Sequence, residues 1–222
     1  MELSDISDAM DAAGFKVFGG LTSTTAGLEA GGTLILVGNT GVDMWPVFCD
    51  EKPDTTDPLD TWTRERITAI TDSLHERFSV PIEALFPFDG PPYHPFQRWA
   101  LTSGNAHPSP IGPLIHTEFG LWHGYRAALH VDADLALPEP STSASPCDDC
   151  TEKPCLVACP VEAFASGHLN VAACTSHLAG DHGEACFKAG CLARRACPIG
   201  TDVAYSEPQA RFHMRAFFDA HR

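Results

Sequence analysis

Apolar positions recur in two rhythms along the first 137 residues. Leu3, Ile6, Met10 and Ala13 repeat at helical spacing, which predicts an opening helix with Ser4 at its cap. Phe15 to Phe18 reads as a short strand ended by Gly19-Gly20. Thr33-Leu34-Ile35-Leu36-Val37 is an unbroken β-branched and apolar run between glycines, the pattern of a central strand covered on both faces. Asp57-Pro58 opens the clearest helix, the acid at the cap and the proline at the first helical position. Trp62, Ile70, Leu74 and Phe78 then share one face. Val80 to Phe86 and Leu121 to Val131 read as further strands, giving helices laid on a sheet, an α+β domain.

The rhythm changes at Pro138-Glu139-Pro140-Ser141-Thr142-Ser143-Ala144-Ser145-Pro146. This stretch is rich in Pro and Ser, lacks apolar periodicity and reads as a linker. A cysteine-rich segment, 147–206, follows. The last residues, 207–222, form an amphipathic helix with Phe212, Phe217 and Phe218, opened by Pro208 and expected to pack back on the body.

The cysteines supply the chemistry. Eight of the nine lie between Cys147 and Cys197. One run is Cys147-x2-Cys150-x4-Cys155-x3-Cys159-Pro160 and the other Cys174-x11-Cys186-x4-Cys191-x5-Cys197-Pro198. Both end in Cys-Pro, as the runs of bacterial two-cluster ferredoxins do, where the last cysteine of a run serves the other cluster. On that logic Cys147, Cys150, Cys155 and Cys197 hold one [4Fe–4S] cluster, and Cys159, Cys174, Cys186 and Cys191 hold a second. Three other readings remain open. Zinc takes four thiolates but favours paired Cys-x2-Cys units, and only Cys147 and Cys150 form one. Disulfides need an oxidising compartment, and Met1 to Lys16 lacks the basic and apolar regions of a secretory signal, which points to a cytoplasmic setting. Buried structural cysteine leaves the clustering unexplained. Cys49, in Trp45-Pro46-Val47-Phe48-Cys49, stands alone and is expected to be a buried thiol.

Charge narrows the partners. Lys plus Arg number 14 against 29 Asp plus Glu, a net charge of −15. Such a surface repels phosphate backbones and suits a basic redox partner, so nucleic acid is not expected as a ligand. No apolar run approaches the roughly eighteen residues of a membrane span. Aromatics, prolines and glycines crowd residues 86–126, where they make either an aromatic core with turns or a pocket for a large flat ligand.

Two families are resembled. The cysteine half resembles the two-cluster module of epoxyqueuosine reductases and reductive dehalogenases, cobalamin-dependent iron–sulfur enzymes; Cys174, isolated before the last three, matches their arrangement. The first half resembles their cobalamin domain and the cobalamin-processing decyanases and dealkylases, which have a nitroreductase-like α+β fold. Gly14-Phe15-Lys16-Val17 is similar to that family's Gly-Phe-acid-Val. Gly112-Pro113-Leu114-Ile115-His116-Thr117-Glu118-Phe119-Gly120-Leu121-Trp122 is similar to its Gly-Val-Cys-Ile-His-Pro-Arg-Phe-Gly-Gly-Trp, with Arg126 where it has an arginine. Thr117, Glu118 and Leu121 depart from that pattern. Asp89-Gly90-Pro91 is similar to the reductases' Asp-Thr-Gly-Pro, without the threonine. The helical repeats that many of those reductases use for tRNA have no counterpart here.

The resemblance implies a cobalamin domain over 1–137 and a two-cluster, ferredoxin-like domain behind the linker. It implies a corrin site lined by Phe88, Gly90, Tyr93, Trp99, Gly112, Phe119, Gly120, Trp122 and Arg126, with Asp89 as proton donor or, equally, a turn residue. Electrons would come from a reducing protein such as a flavodoxin, ferredoxin or flavin reductase and pass to a corrinoid. An electron-transfer protein with a degenerate corrin domain, or a small-substrate reductase, are the alternatives. His94, His107, His116, His123 and His130 are read as structural or surface groups and not as metal ligands.

Overall fold

The computed structural model describes residues 1–141 and 143–222; Thr142, within the linker segment, lies outside the described residues. In chain order the elements are α1 (Leu3–Asp11), β1 (Lys16–Thr22), α2 (Ser23–Ala26), β2 (Thr33–Thr40), α3 (Met44–Glu51), α4 (Pro58–Phe78), β3 (Ile82–Leu85), α5 (Phe96–Thr102), β4 (Ala106–His107), β5 (Ile115–His116) and β6 (His123–Val131). There follow α6 (Pro154–Val157), α7 (Val171–Ala179), α8 (Glu184–Ala189), α9 (Leu192–Arg195), a 3-10 turn over Thr201–Val203, and α10 (Glu207–His221). The fold is α+β. No helix among the described residues is long and apolar enough to cross a membrane.

The chain divides into two compact units, and the division differs from the boundary read from sequence. The first is Met1–Asn105 with Gly124–Thr142. The second joins Ala106–His123 to Ser143–Arg222, so an excursion inside the expected first domain belongs with the cysteines.

In the first unit a four-stranded sheet runs β1-β2-β6-β3 among the described residues. β2 is buried at every position, as its apolar run requires. β1 does not stop at Gly19-Gly20. It continues to Thr22 through an irregular register between Val17 and Gly20, with Gly19 at φ +112°, where only glycine sits without strain. The opening helix is capped two residues earlier than expected. Glu2 is the cap, its backbone N–H donating to the Asp5 carboxylate at 2.7 Å, and Ser4 lies inside the helix.

α4 starts at Pro58 as read, with Asp57 at the cap position but making no side-chain cap bond. Its inward face is Leu59, Trp62, Thr63, Ile67, Thr71 and Leu74, while Ile70 and Phe78 are only half-buried. A four-residue repeat drifts by about 40° per step on a helix of 3.6 residues per turn, so the expected stripe rotates off the core. Trp62 packs against Phe15 and Phe48, at ring separations of 5.2 and 5.7 Å. Cys49 is exposed and not buried as expected: on α3 the helical period turns Met44 and Phe48 inward and the thiol outward.

In the second unit α10 packs on α8, as an amphipathic final helix should. Met214, Phe217 and Phe218 close over Leu178, Cys186 and Phe187, and Arg211 pairs with Glu184 at 2.6 Å.

Candidate functional site: two thiol-lined cavities

The second unit places the eight clustered cysteines around two cavities. Cys147, Cys150, Cys155 and Cys197 line one, with Ile115, Ile199, Lys153 and the prolines Pro146, Pro154 and Pro198. Cys159, Cys174, Cys186 and Cys191 line the other, with Phe164, His177, Met214 and Phe217 among its walls. These are the two foursomes that the spacing predicts. Burial pushes the Cys155 thiol up, and Cys197, Cys147 and Cys150 add to the rise. Burial raises Cys174 to about 11, with Cys191, Cys159 and Cys186 contributing. No group of three or more His, Cys, Asp or Glu among the described residues is arranged to hold a single ion.

Local structure aims donors at the sulfurs. Proline after Cys159 and after Cys197 removes an amide donor and turns the chain. Amides beyond each proline then point back: Ala163 N–H donates to Cys159 Sγ at 3.4 Å, and the Ile199 amide donates to Cys197. The start of α9 offers Ala193 and Arg194 amides to Cys191, and Leu192 serves Cys186. The Lys153 ammonium is turned onto the Cys147 carbonyl.

The excursion 106–123 builds part of the first cavity's wall. Ile111, Ile115 and Leu121 share a core with Cys155, Phe164, Ala193 and Cys197. Gly120 (φ +56°) sits so close to Ile199 that a Cβ would lie 2.0 Å from its carbonyl oxygen. The Arg194 guanidinium donates to Leu121 O and lies over the Trp122 and Tyr205 rings at 4.6 and 4.3 Å. His116 Nδ1 accepts the Glu118 and Phe119 amides at 3.1 and 3.3 Å, and its ring stacks on Phe119 at 4.6 Å. His123 Nδ1 donates to Gly120 O at 3.1 Å. Burial lowers both histidines to about 4, and His107 beside His116, then His116 beside His123, add to the depression.

The residues expected around a corrin therefore divide. Gly112, Phe119, Gly120 and Trp122 lie in the second unit; Phe88, Gly90, Tyr93, Trp99 and Arg126 lie in the first. Several have contacts within their own unit instead. Gly120 admits Ile199, and Trp122 is 2% exposed beneath two arginines. Trp99 is 1% exposed, donates Nε1–H to Ala26 O at 2.8 Å and stacks on His94. Gly112 (φ +98°) has open space around it, and Tyr93 is 65% exposed.

In the first unit Asp89 forms a two-pronged ion pair with Arg64, whose guanidinium also covers the Phe86 and Phe88 rings at 4.5 and 5.0 Å. Arg126 donates Nε–H to the buried Asn39 Oδ1 at 2.7 Å. Burial raises the Asp60 carboxyl, while Arg126 and Arg64 oppose that rise. Two polar pairs, Asp89–Arg64 and Arg126–Asn39, therefore lie in this unit, and both arginines act on the Asp60 carboxyl. Arg64 and Asn39 carried no sequence signal for these pairs, because their partners lie 25 and 87 residues along the chain.

No protein-family model and no curated protein matches the chain. Among solved structures it is similar to a selenomethionine-labelled epoxyqueuosine reductase, at 16% identity and a TM-score of 0.57, over 94% of this chain and 68% of that one. It is also similar to the C. elegans B12-trafficking protein CblC, described as a homologue of human MMACHC, at 13% identity and a TM-score of 0.54, over 95% and 89% of the two chains. At such identities the likeness carries the fold alone, and the fold is the one shared by epoxyqueuosine reductase and CblC.

Proposed function

We propose that the chain is an iron–sulfur redox protein that holds two [4Fe–4S] clusters and delivers electrons to a corrinoid. The observation that carries the first part is the sorting of eight thiols into two foursomes, each around a cavity. A single zinc ion draws four sulfurs to about 2.3 Å from one point. A cubane has iron at four corners and needs sulfurs spread around a volume. Thiols raised by burial, and further by one another, are also groups whose protons a metal displaces on loading. Cys147, Cys150, Cys155 and Cys197 would hold one cluster, and Cys159, Cys174, Cys186 and Cys191 the other.

The corrinoid part is supported by the fold shared with a B12-trafficking protein and an epoxyqueuosine reductase. When bound, a corrinoid supplies cobalt-centred reductive chemistry, such as loss of an upper ligand. This chain's own contribution would come from Phe88, Gly90, Tyr93 and Arg126 as contacts and Asp89 as a proton donor. Asp89 can serve only if Arg64 releases it, since the guanidinium occupies both carboxylate oxygens.

That ion pair, and the burial of Trp99 and Trp122, favour a second reading: an electron-transfer protein with a degenerate corrin domain. One experiment separates them. Protein purified without oxygen is analysed for iron, sulfide and cobalt, then titrated with cobalamin. Both readings expect about eight irons per chain. A stoichiometric spectral shift with cobalamin supports the first, and its absence the second. Bound zinc without sulfide would sink both.

A further inference from the structure

We propose that α6 and the turn after it are the docking face for a one-electron donor protein with a basic rim. The inference rests on the two-cluster reading and adds where electrons enter. Val157 is 81% exposed, the most exposed large apolar side chain among the described residues, and Leu156 beside it is 37% exposed. Neither helps the fold by standing in water. Val157 lies two residues from Cys155 of the first foursome and two from Cys159 of the second. Two residues span at most about 7 Å, so one exposed apolar spot lies against ligands of both proposed clusters. Electron transfer falls steeply with distance, which favours entry at such a spot. Val42, Tyr93 and Leu101, also exposed, all belong to the first unit, which holds no cysteine of either foursome.

Charge selects the partner. Asp148, Asp149, Glu152 and Glu162 are all exposed around this segment. Its one cation, Lys153, turns its ammonium to the Cys147 carbonyl. An apolar centre with an acidic rim complements a redox protein whose cofactor edge is apolar and ringed by Lys or Arg. In the step itself the donor loses one electron and one cluster gains it; no bond forms or breaks and no proton moves.

The test runs the transfer in reverse, with mitochondrial cytochrome c as the lysine-rimmed probe. Photoreduced protein is mixed with the probe at low and high salt, and in parallel with a zwitterionic viologen. Val157→Lys and Glu152→Lys are compared with Thr68→Lys, on the exposed side of α4. The expected result is a cytochrome rate that falls about tenfold or more with salt and with Val157→Lys at low salt. Glu152→Lys should slow it in the same sense. Thr68→Lys should match the unchanged chain, and the viologen rate should not move. Normal cluster content with an unaltered cytochrome rate in both patch variants overturns this proposal alone. A chain without iron and sulfide overturns the two-cluster reading as well. Sedimentation showing a dimer that Val157→Lys dissociates would assign the face to a second copy and also overturn it.

Discussion

The two foursomes contain the same residue type in the same number, yet they are housed differently. The first cavity, about 40 Å³, has walls of proline and isoleucine, and two backbone amides approach its sulfurs, Ile199 at Cys197 and Cys155 at its own thiol. The second, about 250 Å³, is closed by α10 and lies among more donors: Ala163 at Cys159, Leu192 at Cys186, Ala193 and Arg194 at Cys191, with His177 Nε2 3.6 Å from Cys186 Sγ. Donors to sulfur stabilise the added negative charge of a reduced cluster and raise its potential. If both foursomes hold the proposed clusters, equal sets of thiols therefore predict unequal centres, with the electron resting at the second.

Breaking one foursome at a time has the largest expected effect. Cys155→Ser should remove the first cluster and Cys191→Ser the second, each lowering iron by about half. If either substitution empties both sites equally, the foursomes are not independent. Gly120→Val comes next. Its side chain would meet the Ile199 carbonyl next to Cys197-Pro198, so destabilisation of about 2–4 kcal/mol should appear in denaturant unfolding, with first-cluster iron lost before second-cluster iron.

Acid should also act on the first site's side. His116 and His123 titrate at about 4 in the fold against about 6.5 unfolded. Between those values the unfolded chain binds more protons, so the stability held above pH 6.5 is lost as pH falls toward 4, up to about 3 kcal/mol for each ring. Unfolding midpoints at pH 7 and 4.5 read this, and His116→Gln should flatten the slope. The smallest effect is the most selective. His177→Phe should lower the second cluster's potential in an EPR-monitored redox titration and leave the first unchanged.

The contrast between the foursomes also marks where sequence reasoning works. Cysteine spacing is a local record of ligand geometry, and the Cys-Pro endings show where the chain leaves a site, so the thiols could be sorted from the sequence. β2 and α4 were readable for similar reasons, an unbroken apolar run and an Asp-Pro start. Cys49 was misjudged because its neighbours are apolar in sequence while the helix turns it outward. Trp99, Trp122 and Gly120 were read as lining a ligand from the family resemblance. Their partners are Ala26, Arg194 and Ile199, about seventy residues or more away, and no local pattern names them.

The sequence by itself determined the eight clustered cysteines, their division into fours, the acidic charge and the α+β alternation, because each depends on composition or on spacing within a few turns of chain. Only the tertiary structure decided that Ala106–His123 belongs with the cysteines, that Arg64 holds Asp89, and that the second foursome lies among more donors. Those outcomes depend on which distant surfaces meet, and close packing settles that for the whole chain at once.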